Sequence, residues 1–304
     1  MYDILMIGGG PAGLTAAIYG ARAGLSVAVV EKAAPGGQIT STHQLENYPG
    51  FVQGISGGEF SQDLLEQARR FGAQAFADEI VSLQLEGKIK TAEGKNGKYQ
   101  SKTVILALGA APRKLGIPGE EQYVGMGVSY CATCDGAFFK GLRVAVVGGG
   151  DTAFEDALYL ADLAAEVYLI HRRETFRAQR YLIEKAEKKK NIHFIRQAVP
   201  LEIGGGMDLE YIILQNVQTG ERQQLAVEGV FVAVGQQPDT ALVQGKVDLD
   251  AAGYIEADEN TGTNIPGVFA AGDVRKKALR QVVTAAADGA VAAMAAYHTI
   301  LEED

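Results

Sequence analysis

The sequence predicts an α/β chain made of two similar three-layer units, the second inserted in the first. Three observations carry that expectation. Residues 4–19 run from an apolar strand through a glycine turn into a helical pattern. Residues 144–159 repeat this without a gap, Gly148 lying over Gly8 at an offset of 140 residues. The repeat extends to the next strand, where residues 27–30 lie over residues 167–170. Two copies of one strand–turn–helix–strand segment predict two Rossmann-like dinucleotide-binding domains.

Composition agrees and excludes other classes. With 304 residues, 47% hydrophobic and 21% charged, the chain can bury a core and carries no signature of disorder. Glycine is abundant (38 residues) without a collagen period, so it is placed for local backbone reasons. A net charge of −9 argues against nucleic acid as a partner, because phosphate binding needs clustered cations. Two cysteines cannot staple a secreted scaffold, and the four histidines (His43, His171, His193, His298) show no metal-ligand spacing, so no metal site is expected. The first residues read as a strand rather than a signal peptide. Residues 282–301, interrupted by Asp288, read as a buried Ala-rich helix rather than a membrane span. A cytoplasmic location without membrane contact is expected.

The first strand, residues 4–7, leads into Gly8-Gly9-Gly10-Pro11-Ala12-Gly13. Here Gly8 permits the tight turn, Gly10 lets the backbone approach a pyrophosphate, and Gly13 lets helix and strand pack closely. Free N–H groups and the dipole at the helix start favour the phosphates. The second copy, Gly148-Gly149-Gly150-Asp151-Thr152-Ala153, repeats the logic with Ala153 in the third position.

The copies differ where the second strand ends. The first has Glu31, eighteen residues beyond Gly13, a carboxylate able to accept ribose hydroxyl protons where there is no 2′-phosphate. The second has His171, Arg172 and Arg173, with Arg177 close behind. Guanidinium groups attract a 2′-phosphate that a carboxylate would repel. The first site therefore suits FAD or NAD and the second NADP(H). The run from Lys185 to Lys190 reads only as an exposed helix face.

Further strands are expected at residues 103–109, 230–235 and 268–273, and a helix over 61–71 with Leu64, Leu65, Ala68 and Phe71 at helical spacing. Pro112, Pro118 and Pro238 punctuate the chain. The expected layout is an FAD-binding domain in two pieces, 1–112 and 240–304, around an NADPH-binding domain of 113–239. Just before the first strand of the inserted unit stands Cys131-Ala-Thr-Cys134. Such a pair reads as half a zinc site, a redox dithiol or a chance pairing. No second pair exists to complete a zinc site, and the redox reading is preferred. Asp135, next in sequence, is either a proton donor and acceptor for the thiols or a turn residue. Two nucleotide sites and one dithiol imply an electron relay from a nicotinamide through a flavin to sulfur.

These residues together resemble the low-molecular-weight (bacterial-type) thioredoxin reductases, FAD- and NAD(P)-dependent members of the pyridine nucleotide-disulfide oxidoreductases. The resemblance spans nearly the whole chain. It rests on Gly8–Gly13, Gly36-Gly37-Gln38, Glu46–Gly50, Cys131–Gly136, Gly148–Ala153, His171–Arg173 with Arg177, Gly267–Asp273 and Arg280-Gln281. It implies that FAD is held by Gly8, Gly10, Pro11, Ala12, Gly13, Glu31, Gly36, Gly37, Gln38, Asn47, Asp273, Arg280, Gln281 and Val282. It implies NADPH at Gly148, Gly150, Asp151, Thr152, Ala153, His171, Arg172, Arg173 and Arg177. Cys134 would face the flavin, Cys131 would attack the disulfide of thioredoxin, and Asp135 would be the acid/base. A homodimer whose inserted domain rotates between two arrangements is also implied. Two positions depart from the family pattern: Leu108 replaces a usual Thr, and Ala287 replaces a common Gly. Ferredoxin-linked reductases and small-molecule dithiol oxidases of this fold tend to lose the basic cluster present here. A flavin reductase for another acceptor would lack the dithiol.

Overall fold

Apolar runs that end in glycine decide where the chain turns in the computed structural model, which describes residues 1–42 and 44–303. His43, one of the scattered histidines, lies outside the described residues. The chain divides into two compact units, Met1–Ala111 with Gln237–Asp304 and Pro112–Gln236.

The first unit starts with β1 (Tyr2–Ile7), α1 (Pro11–Arg22) and β2 (Val27–Glu31). Ile4 to Ile7 are all buried, as a parallel strand covered on both faces requires. Pro11 opens α1, where its missing N–H costs nothing. Next come α2 (Gly57–Arg70), β3 (Gln74–Ala77), β4 (Ile80–Gln84), β5 (Lys90–Gly94) and β6 (Lys98–Leu106). Helix α2 begins four residues before the expected start. Ser56 supplies the reason: its hydroxyl accepts the Glu59 N–H at 3.1 Å and caps the helix.

A short β7 (Ala110–Pro112) carries the chain into the second unit. There follow β8 (Val128–Ser129), α3 (Ala132–Asp135), β9 (Arg143–Gly148), α4 (Asp151–Ala161), β10 (Glu166–Ile170) and α5 (Arg180–Glu187). Then come β11 (Ile192–Ile195), β12 (Ala198–Gly205), β13 (Leu209–Asn216), β14 (Arg222–Ala226) and β15 (Gly229–Ala233). The short β16 (Gln236–Pro238) leads back, and β17 (Val268–Ala270) and α6 (Val282–Glu303) complete the first unit.

The first unit's sheet has the order β3-β2-β1-β6-β5-β4, with β17 beside β6. Strands β3, β2, β1, β6 and β17 are parallel, whereas the β4–β5–β6 side is antiparallel. The second unit has a parallel sheet of order β11-β10-β9-β15-β8 and a separate antiparallel sheet β12-β13-β14. In each unit the glycine turn follows a central strand, β1 or β9, at its carboxyl end, where open parallel sheets bind ligands. Each unit has its own core: Leu14, Phe60, Ile105 and Phe269 on one sheet face of the first, and Phe154, Leu160, Leu169 and Phe231 in the second. Among the described residues no helix is long and apolar enough to cross a membrane.

Candidate active site

In the first unit the glycines of the turn are not equivalent. Gly8 has φ +104°, and a Cβ there would lie 2.2 Å from the Ala107 carbonyl oxygen. A Cβ on Gly13 would lie 2.0 Å from the Gly8 oxygen. Both are demanded by the fold itself. Gly10 is different: its φ of −75° suits any residue, and a Cβ would meet only the Gly36 oxygen at 3.9 Å. The chain leaves an open cradle there, beside the free N–H groups of α1. Gly150 repeats this in the second unit, with φ −101° and no atom within 4 Å of a built Cβ. A pyrophosphate approaching the backbone fits both positions.

The first unit also carries the residues that the family resemblance assigns to FAD. The Glu31 carboxylate, at the end of β2, accepts the Gly9 N–H at 2.6 Å and the Ala33 N–H at 2.8 Å. Gly36 (φ +118°) donates its N–H to the Gly9 oxygen at 2.7 Å, and a Cβ on Gly37 would lie 3.4 Å from the Gly10 Cα. The Gln38 amide donates to the Ala110 oxygen. Asn47 Nδ2 donates to Gln281 Oε1 at 3.0 Å, joining two stretches far apart in sequence. Gln281 precedes α6, and Val282 is its first residue. Pro11 and Ala12 open α1; a Cβ on Gly272 would lie 2.9 Å from the Ala12 methyl, so Asp273 follows directly on that contact. The Arg280 guanidinium stacks 4.0 Å above the Tyr254 ring, and its Nε donates to the Asp273 carbonyl.

Asp273 has the feature that best fits a polyhydroxyl partner. Its Oδ1 is buried and has no hydrogen-bond partner among the described residues. Burial pushes its carboxyl pKa up, while Lys277 and Arg280 pull it down. A buried acceptor without a donor is costly, and a cofactor hydroxyl would satisfy it.

In the second unit His171 follows directly on strand β10 and is buried. Its Nε2 lies 3.2 Å from the Thr175 oxygen. Burial, together with Arg177 and Arg172, holds its pKa below the ordinary value of 6.5. The loop beyond is anchored by Phe176, whose ring packs against Phe154, Phe194 and His171. Asp151 turns toward this loop, accepting the Gln179 N–H at 2.7 Å and its side-chain amide at 3.0 Å. Those bonds lower its pKa. Arg177 N–H donates to the Gly149 oxygen, which ties the loop to the glycine turn. Thr152 is exposed and Ala153 buried at the start of α4. Arg172, Arg173 and Arg177 are exposed, and among the described residues no carboxylate pairs with any of them. Three uncompensated guanidinium groups beside an open glycine turn make an anion site.

Cys131 and Cys134 form a disulfide with their Cα atoms 5.3 Å apart. Cys131 caps the one-turn helix α3, and the N–H groups of Cys134 and Asp135 both donate to its carbonyl. The sequence anticipates no strand before the dithiol, yet β8 stands there at the edge of the sheet. It supplies Ser129, a site residue that sequence reasoning missed. The buried Ser129 hydroxyl donates to the Asp135 carboxylate at 2.5 Å and accepts the Cys131 N–H at 3.1 Å. Asp135 is thereby held beside the dithiol at the end of α3. No spacing rule couples residues 129 and 135, so only the fold reveals this link.

Comparison with known proteins follows the same lines. The family model described as "Pyridine nucleotide-disulphide oxidoreductase" matches residues 2–289. The chain is similar to a thioredoxin reductase of Peptoclostridium acidaminophilum, 48% identical over 96% of this chain and 95% of that one. It is also similar to a thioredoxin reductase of Peptoclostridium litorale, 46% identical over 99% and 98%. Among solved structures it superimposes on a thioredoxin reductase of Streptococcus pyogenes with a TM-score of 0.95, at 44% identity and 99% coverage of both chains.

Proposed function

Because this chain belongs to the pyridine nucleotide-disulphide oxidoreductase family, we propose that it is an NADPH-dependent thioredoxin-disulfide reductase. The reading is carried by one observation: a disulfide-bonded Cys131–Cys134 pair in the same unit as an open glycine turn bordered by three arginines that have no carboxylate partner among the described residues. FAD, when bound, accepts a hydride and passes two electrons to sulfur.

The residues of the chain divide the remaining work. Gly10 and the N–H groups at the start of α1 receive the FAD pyrophosphate, Glu31 the adenosine ribose, and Asp273 a hydroxyl of the linker. Gly36, Gly37, Gln38, Asn47, Arg280, Gln281 and Val282 complete the enclosure. Gly148, Gly150, Thr152 and Ala153 receive the NADPH pyrophosphate. Arg172, Arg173 and Arg177 select the 2′-phosphate, while neutral His171 shapes the turn against Gly149. Asp151 holds the arginine loop through Gln179.

Reduction opens the Cys131–Cys134 bond to two thiols. The Cys131 thiolate then attacks one sulfur of oxidised thioredoxin, forming a mixed disulfide and releasing the other sulfur as a thiolate. Cys134 attacks Cys131 in turn, which restores the intramolecular disulfide and frees reduced thioredoxin. Asp135, oriented by Ser129, delivers and removes the protons. In balance, NADPH, one proton and a disulfide give NADP⁺ and a dithiol. A homodimer and a cytoplasmic location belong to the same proposal.

The purified protein should be yellow. NADPH should bleach it without oxygen, and oxidised thioredoxin should then restore the colour. A flavin that stays oxidised under NADPH, or that thioredoxin fails to reoxidise, refutes the proposal.

A further inference from the structure

One ionic cluster of the first unit has no part in the mechanism above. Asp288, one turn and a half into α6, accepts three hydrogen bonds while nearly buried. Lys277 Nζ donates to its Oδ2 at 2.7 Å, Arg275 to its Oδ1 at 3.3 Å, and the Gly272 N–H to its Oδ2 at 3.0 Å. The side chains of Asp288, Lys277 and Arg275 are only 15%, 11% and 13% exposed. Lys277 also donates to the Thr284 carbonyl, and Arg275 to that of Asp258. Two cations thus share one carboxylate in a poorly solvated place. Burying this set is costly, so it is weak evidence for a stability device.

The position of the cluster suggests a different use. Gly272, pinned by Asp288 at φ +82°, immediately precedes Asp273. Asp273 holds the buried Oδ1 that has no partner among the described residues. Lys277 and Asp288 are both close enough for their charges to act on it. We propose that Asp288 is a positioning residue for FAD: it engages Lys277 and fixes Gly272, so that the Asp273 carboxylate stays free to accept a cofactor hydroxyl. Without the Asp288 charge, Lys277 turns to the neighbouring Asp273 and occupies the acceptor. The inference rests on the assignment of FAD to this unit.

The test is FAD binding by the flavin-depleted full-length chain, read by quenching of flavin fluorescence, with the melting temperature of each depleted variant as a check on folding. Asp288→Asn should weaken FAD binding at least about tenfold, the value of roughly one charge-assisted hydrogen bond. Adding Lys277→Met to that variant should restore most of the loss, because the competing cation is gone. Lys277→Met alone should bind FAD within about threefold of wild type, and it decides the matter if the Asn variant does not fold. Unchanged binding in Asp288→Asn overturns the inference. So does a double variant no better than Asp288→Asn, which is what a purely structural role gives, or a tenfold loss in Lys277→Met alone. Failure of the wild-type chain to bind FAD overturns the cofactor assignment, and the inference with it.

Discussion

The two glycine turns share a backbone and differ in what meets them at the end of the second strand. At the first turn Glu31 folds its carboxylate back onto the Gly9 and Ala33 N–H groups. At the second, His171 takes the place of Glu31 and packs its ring where a Gly149 side chain would have been. Its followers Arg172 and Arg173 stay exposed and without a carboxylate partner among the described residues. The turn itself therefore says only that a dinucleotide fits. In the proposed function the residues at the strand end choose which one. This is a matter of charge: a carboxylate held by amides accepts hydroxyl groups, whereas free guanidinium groups await a phosphate.

That division breaks most visibly at the dithiol, which only the second unit carries. Cys134→Ser should lower thioredoxin reduction by at least about a thousandfold, since no other group replaces the resolving sulfur. Bleaching of the flavin by NADPH should persist. Thioredoxin turnover near the wild-type level would contradict the role given to Cys134.

Removing the arginines tests the charge argument. Each guanidinium–phosphate contact is worth about 1.5–3 kcal/mol, so Arg172→Ala with Arg173→Ala should raise the KM for NADPH roughly 100-fold or more. The KM for NADH should move less than about threefold. Equal losses for the two donors would place the 2′-phosphate elsewhere.

At the first turn the expected effect is smaller. Glu31→Gln puts an amide N–H against one of two backbone N–H donors, costing about 1–3 kcal/mol. FAD affinity should fall about tenfold while the KM for NADPH stays put, as measured on the flavin-depleted and loaded protein respectively. A change in NADPH binding with FAD untouched would invert the assignment.

The smallest effect concerns His171. Its folded pKa is lowered by burial, so the unfolded chain takes a proton that the folded unit refuses. The stabilisation is complete above about pH 6.5 and is lost as pH falls from there toward the folded pKa. The imidazole resonances of His171 should titrate below 6.5 in NMR. Titration at or above that value would contradict its buried, neutral state.

Much of the fold was legible because steric necessity writes glycine into the chain. Gly8 and Gly13 are excluded from carrying a side chain by carbonyl oxygens, and Gly148 by the Ala233 oxygen at 2.5 Å. The parallel strands β1, β2, β6, β9, β10, β15 and β17 were legible as apolar runs, whereas β3, β8 and β11, whose runs are short or broken by polar residues, were not. The antiparallel additions, β4 with β5 and β12 with β13 and β14, were not legible, because polar residues on their partly exposed positions break up the apolar runs. Even so, Asn96-Gly97 at the turn before β6 is a recognised hairpin signal. Within the site, Ser129 and Asp288 were silent. Their meaning lies in partners, Asp135 and Cys131 for one and Gly272, Arg275 and Lys277 for the other, that only the folded turns bring close.

The charge difference between the two strand ends is tested most directly by steady-state reduction of thioredoxin by the wild-type protein, with NADPH and NADH as alternative donors. Turnover is expected with both cofactor sites filled, with a kcat/KM for NADPH at least about 100-fold above that for NADH. Equal values for the two donors, or no thioredoxin reduction with either, would contradict this expectation.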